Sequence, residues 1–151
     1  VELFDIVEAR RQKALDLGAS DLTDVMTNRP AAEDYGDLYS GRGYDVIFET
    51  SRAPPAFLRA VKLHRPLRTN MALGFIPSIE FSLKQITLKA AHIMGSIGGT
   101  GDFERVLAFA HQHPQLAAEL ISHGVPFHEY EKAFELAQDR KQAMKVLITF
   151  D

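Results

Sequence analysis

The 151-residue chain contains no cysteine, which excludes disulfides, thiolate metal ligands and a cysteine nucleophile. Tryptophan is missing too. Basic residues are not in excess: 17 Lys and Arg stand against 20 Asp and Glu, a formal charge of −3. Such a chain has no cationic surplus to follow a phosphate backbone, so nucleic acid is not expected as a principal partner. No apolar run reaches the ~18 residues that a membrane-spanning helix needs, so no membrane partner is expected either. The chain starts on Val1 without a basic leader or a signal-like apolar stretch, from which a cytoplasmic piece of a longer polypeptide is expected. What is present is 46% apolar and 25% charged, an ordinary globular mixture. At this length one unit can bury roughly 70% of its unfolded surface.

Short apolar runs alternate with helical spacings, the layout of an α/β protein. Residues 1–7 (VELFDIV) form a mainly apolar run carrying Glu2 and, after Leu3 and Phe4, the acid Asp5, and the helical segment EARRQKALDLGAS follows until Gly18 stops it. Residues 20–26 read as a short strand, and 27–43, with Pro30, Gly36, Gly41 and Gly43, as loop around a weak helix. Tyr44–Thr50 (YDVIFET) is a near-continuous apolar run of the kind buried in a parallel sheet. Pro54 and Pro55 open a helix through His64, Pro66 closes it, and Thr69–Phe75 (TNMALGF) reads as a second buried strand. After Pro77, IEFSL is expected to be extended, KQITLK a short helix and His92–Ile97 a strand. Phe103, Val106, Leu107 and Ala110 share one helix face, and Tyr130, Ala133, Phe134 and Ala137 repeat that spacing. LISHGVPF between them is expected to be extended, and Lys145–Phe150 a terminal strand.

A strand ending in an acid, followed by a helix ending in Gly, is the pattern of the second βα element of a dinucleotide-binding fold. There a carboxylate accepts the hydroxyl hydrogens of the adenosine ribose and repels a 2′-phosphate. Asp5 has that position, with Arg10 in the first turns of the helix; local spacing alone leaves open whether Asp5 only caps the helix. Other constellations carry less. His111 and His113 fall on different helix faces and mark a surface helix end. His64 and His92 lack an acidic sequence neighbour, and His123 reads as packing. Ser40, Ser51 and Ser96 lack a G-x-S-x-G elbow. Glu129, Glu131 and Glu135 read as a solvated helix face.

The segments DIVEARRQKALDLGAS, GRGYDVIFE, RPLRTNMALGF, LKAAHIMGSIGG, LISHGVPFHEYEKAFELA and KVLITF come in one order along the chain. Together they resemble the C-terminal half of the zinc-type medium-chain alcohol and polyol dehydrogenases, over essentially all 151 residues. The resemblance implies a Rossmann-like parallel sheet lacking its first strand and glycine-rich turn. Residues 1–121 would be a partial NAD-binding domain and 122–151 a return segment towards a catalytic domain. It implies that Asp5 and Arg10 serve the adenosine ribose and favour NAD, and that Thr50 and Ser51 border the cofactor. Leu73, Gly74 and Phe75, then Ser96 and Ile97, would lie along the nicotinamide, and Lys145 would pair with the pyrophosphate.

The resemblance also implies what this chain does not hold. The family's G-x-G-x-x-G precedes its ribose-binding acid by about 20 residues, whereas four residues precede Asp5. Zinc, implied for the intact enzyme, is expected not to be bound by this chain, and no residue here is expected to be catalytic. Where the family has Gly-Gly after RP, this chain has Leu67 and Arg68; where it has a Gly soon after the acid of the long strand, the chain reads Glu49, Thr50, Ser51, Arg52. The expected partners are a small-molecule alcohol in the intact enzyme and a second copy of the chain, joined through an edge strand at Phe75–Leu83. A short, non-catalytic Rossmann-like module for binding or assembly is the alternative reading.

Overall fold

The computed structural model describes residues 1–23, 31–99 and 101–150. Residues 24–26 of the expected second strand, part of the loop after it and Thr100 lie outside them. In chain order the elements are β1 (Glu2–Phe4), α1 (Glu8–Asp16), β2 (Asp21–Thr23), β3 (Tyr44–Glu49), α2 (Pro54–Leu63), β4 (His64–Ala72), α3 (Leu83–Lys89), β5 (His92–Gly95), α4 (Phe103–Gln112), α5 (Pro114–Glu119), β6 (Ile121–Pro126), α6 (Tyr130–Gln138) and β7 (Lys145–Thr149). One-turn 3-10 helices at Tyr35–Tyr39 and Phe127–Glu129 complete the list. The protein is α/β, and every strand pair among the described residues is parallel.

The described residues divide into two compact units, 1–23 with 101–150 and 31–99. The second is built on a three-stranded sheet in the order β3-β4-β5. Helix α2 carries its apolar spacing on one side, so Phe57, Ala60, Val61 and Leu63 are buried together. Pro54 and Pro55 stand at the first two helical positions, where a missing N–H costs no intrahelical bond. At the other end, the buried ammonium of Lys89 donates to the carbonyls of Val61 (2.9 Å), Lys62 (2.8 Å) and His64 (3.3 Å). It thereby satisfies acceptors that the last turn of α2 would leave unpaired.

The boundary between α2 and β4 differs from the sequence expectation. The strand starts at His64, and Pro66 lies inside it. Between the pairs Tyr44↔His64 and Val46↔Thr69 the register shifts, so the extra β4 residues form an irregularity. Pro66, which has no N–H to give a ladder, and Leu67, at φ 58°, are accommodated there. The expected edge strand at Phe75–Leu83 is a second correction. Residues 75–82 belong to no strand and Leu83 starts α3. Within this segment the Phe81 ring meets Phe57 edge-on at 5.8 Å.

The first unit contains two two-stranded sheets, β1-β2 and β6-β7. Its buried apolar residues are few: Val125 on β6, Ala133 on α6 and Ala143 before β7. Helix α4 has the apolar stripe that its spacing predicts, yet Phe103, Val106 and Leu107 are 69, 61 and 54% exposed. The His113 ring packs on Phe109 just past the end of α4, at 4.5 Å. Among the described residues β1 pairs only with β2, and β3 only with β4. No described helix is long and apolar enough to cross a membrane.

Candidate functional site

In the second unit, Glu49, Ala72 and Gly95 stand at one level, because Glu49 pairs with Ala72 and Ala72 with Gly95 across the sheet. These are the carboxyl ends of three parallel strands, the edge where open α/β sheets take ligands. Beyond β4 and β5 lies an open cleft of about 440 Å³ lined by Ala72, Leu73, Gly74, Phe75, Gly95, Ser96 and Ile97. The five expected site residues Leu73, Gly74, Phe75, Ser96 and Ile97 therefore come together. Phe75 and Ile97 are exposed large apolar side chains at its rim. The two cleft loops are tied at their roots, where the Ser96 amide donates to the Ala72 carbonyl at 3.4 Å.

Glu49, the acid that closes β3 and to which sequence position alone gives no further role, organises two loops. Its main-chain carbonyl accepts the amides of Leu73 (2.8 Å) and Gly74 (2.9 Å). Its carboxylate oxygen Oε1 accepts the Ser51 amide at 2.8 Å and the Ser51 hydroxyl at 2.5 Å. The other oxygen, Oε2, is buried without a hydrogen-bond partner. A Cβ on Gly74 would lie 2.7 Å from that Oε2 and 2.8 Å from the Arg52 amide nitrogen. Gly74 is thus demanded by the protein's own packing. Ser51 faces Glu49 instead of lining the cleft, and Thr50 stands exposed beside it.

Both departures from the glycine pattern sit on left-handed backbone. Arg52 has φ 62° and Leu67 φ 58°, conformations that glycine adopts freely and an L side chain resists. The exposed Arg52 follows Thr50 and Ser51 and touches the Gly74 position through its main chain.

The remaining expected residues belong to the first unit. Asp5 follows the end of β1; its Oδ1 accepts the Val7 amide at 2.7 Å and so shapes the entry to α1. Its Oδ2 faces Arg10 Nη1 at 3.9 Å, and the Arg11 guanidinium donates to its main-chain carbonyl at 2.6 Å. The Asp5 side chain is 25% exposed. Arg10 Nη2 donates to the carbonyls of Arg140 (2.9 Å) and Ala143 (3.1 Å). Lys145, at the start of β7, is exposed, and no hydrogen bond or ion pair engages its side chain among the described residues.

Two buried titratable groups lie at the opposite ends of the second unit's strands, away from the cleft. Burial, and then the Lys89 charge, hold the His64 imidazole below its ordinary value. Burial pushes Lys89 down to about 8, with the Asp37 carboxylate opposing. Among the described residues no three His, Asp or Glu side chains gather as a metal site. With no cysteine and its histidines spread over residues 64–128, the chain does not offer the donor set of a zinc centre.

A family model described as zinc-binding dehydrogenase matches residues 1–112. A sorbitol dehydrogenase of Halalkalibacterium halodurans is 28% identical over 145 residues, 94% of this chain and 42% of that protein. The chain superposes on an alcohol dehydrogenase of Thermotoga maritima with a TM-score of 0.84 and 26% identity, covering 100% of this chain and 43% of that one. An alcohol dehydrogenase of Escherichia coli CFT073, solved in complex with NADH, gives a TM-score of 0.79 and 25% identity over 99% of this chain and 44% of that one. The chain thus spans about two-fifths of the length of the proteins it matches.

Proposed function

Because the chain belongs to the zinc-binding dehydrogenase family, we propose that it is the nucleotide-binding portion of an NAD-dependent alcohol or polyol dehydrogenase. The observation that carries this reading is the cleft at the carboxyl ends of β4 and β5, which collects five of the expected cofactor residues. Its walls combine the small residues Ala72, Gly74, Gly95 and Ser96 with the large apolar side chains of Leu73, Phe75 and Ile97, a surface that admits a flat ring with a carboxamide. The residues fit a dinucleotide: Gly74 leaves no Cβ between the loop and its neighbours, and the Asp5 side chain is part-exposed at the end of β1.

In this reading the bound nicotinamide supplies the hydride acceptor. Leu73, Gly74 and Phe75 hold one side of the ring, and Ser96 and Ile97 meet the carboxamide with main-chain groups. Glu49 fixes the loops that carry Leu73–Gly74 and Ser51, so the cleft keeps its shape as the ring enters. Asp5 takes the adenosine ribose and disfavours a 2′-phosphate; Lys145 meets the pyrophosphate. The residues do not fit a zinc, so no step is assigned to one in this chain. In the intact enzyme the substrate is a small alcohol and the location cytoplasmic. Residues 122–151 are read as the segment returning to the catalytic part. A second copy of the chain is the proposed partner, with Phe75–Leu83 gaining strand pairing only across that contact. Ile79→Lys is expected to abolish the dimer in sedimentation velocity, and a dimer that survives it removes this interface.

The test of cofactor choice is calorimetric titration of the chain with NAD and NADP. NAD is expected to bind more tightly, and Asp5→Ala to erase the difference. Tighter NADP binding, unchanged by Asp5→Ala, overturns the role given to Asp5.

A further inference from the structure

Arg10 makes contacts that a ribose ligand does not need. Nη2 donates to two main-chain carbonyls, Arg140 and Ala143, more than 120 residues away in sequence. Nη1 faces the Asp5 carboxylate at 3.9 Å. One planar guanidinium therefore spans the acid at the end of β1 and the turn between α6 and β7. A lysine ammonium, without the planar fork, does not reproduce that span.

The turn it grips leads to Lys145 through ordered peptides. Asp139 Oδ1 accepts the Lys141 amide at 2.9 Å and the Gln142 amide at 3.3 Å, and the Ala143 amide donates to the Asp139 carbonyl at 2.9 Å. Ala143 is buried. The Met144 amide then donates to Ser122 Oγ at 2.9 Å, and Ser122 Oγ donates to the Lys145 carbonyl at 3.0 Å. Each of these peptides is pinned, and Arg10 is what joins them to α1. Helix α1 is also tied to the end of α5 by the Lys13–Glu119 ion pair, a solvent-facing contact of the kind that contributes little.

We propose that Arg10 is a positioning residue that ties Asp5 to the 140–143 turn and so sets where the Lys145 ammonium stands for the pyrophosphate, instead of contacting the adenosine ribose itself. The inference rests on the dinucleotide reading above. It differs from that reading in what it gives Arg10 to do: act on a phosphate-bearing ligand through Lys145.

The test uses the 151-residue chain, with adenosine and ADP as probes in two-dimensional amide NMR titrations. Arg10→Gln and Arg10→Lys are both expected to weaken ADP about three- to fivefold, the scale of one partly solvated charge contact. Adenosine binding is expected to stay unchanged. In a Lys145→Gln background the Arg10 effect on ADP is expected to vanish, because the positioned cation is gone. Without ligand, either Arg10 variant is expected to speed amide exchange at residues 142–145 several-fold. Equal weakening of adenosine and ADP overturns the proposal in favour of direct ribose contact, and so does unchanged exchange at 142–145. A wild-type chain that binds neither probe while the exchange effect remains overturns the dinucleotide reading, leaving Arg10 as the tie of the turn alone.

Discussion

The two units use the same kind of sequence pattern to different ends. In residues 31–99, α2 closes its apolar side completely: Phe57, Ala60, Val61 and Leu63 are buried, with Asn70, His64 and Lys89 beside them. In residues 1–23 and 101–150, α4 has an equally regular stripe, yet none of its residues is buried. The difference teaches that periodicity specifies a face and not its partner. A helix that meets its sheet becomes core, whereas α4 shows the side it would turn towards a neighbour. The same holds for strands. The apolar run Tyr44–Thr50 has the pattern of a buried parallel strand, yet Val46 and Phe48 of β3 are exposed.

The largest effect expected of a single change sharpens that contrast. Phe57→Ala removes a buried ring that also contacts Phe81 and is expected to destabilise by about 3–5 kcal/mol. Phe103→Ala, on the exposed face of α4, is expected to stay within about 0.5 kcal/mol. Urea midpoints of the two variants make the comparison, and equal losses would erase the distinction between the units.

Next in size is a contrast between two glycines of the same cleft. Gly74→Ala forces a methyl against Glu49 Oε2 and the Arg52 main chain and is expected to cost about 1–3 kcal/mol. Gly95→Ala meets nothing within 4 Å and is expected to be nearly neutral in stability. Thermal unfolding of both distinguishes packing demand from a general dislike of side chains in the cleft.

A smaller gain is expected at Leu67→Gly and Arg52→Gly, where left-handed backbone is relieved. Each is expected to stabilise by about 0.5–1 kcal/mol, after allowance for the greater freedom of glycine when unfolded. Denaturant titration reads it, and a loss at either site would mean that its side chain makes a compensating contact.

The pH dependence of the second unit follows from Lys89. Its folded value, about 8, lies below the ordinary 10.5, so between those values the unfolded chain holds a proton that the folded chain has released. Stability from this group therefore rises with pH across that window, and the desolvation penalty is fully present below it. The Lys89→Met variant is expected to lose that rise. An unchanged alkaline rise in the variant would remove Lys89 as its source.

Much of this was legible in the residues. The apolar run of β3 and the double proline that opens α2 follow from local chemistry. The grouping of Leu73–Phe75 with Ser96–Ile97 comes from the family resemblance, and the fold brings them together because β4 and β5 are adjacent parallel strands that end at one level. What escaped depends on distant partners. Glu49 and Lys89 look like solvent-facing residues in sequence, and only the fold shows a carboxylate holding Ser51 and an ammonium closing α2. The early start of β4 was hidden because Pro66 normally ends a segment, and here an irregular register absorbs it. Phe75–Leu83 has the alternation of a strand, but no other described strand lies beside it to supply a ladder.

The most direct test of the central claim, that the β4–β5 edge takes the nicotinamide end of a dinucleotide, is an amide NMR titration of the chain with NAD. The account predicts saturable shifts centred on Leu73–Phe75 and Ser96–Ile97, with a second group at Asp5, and predicts that Gly74→Ala removes the first group. Saturable binding that leaves both cleft loops unmoved, or no binding at all, would contradict it.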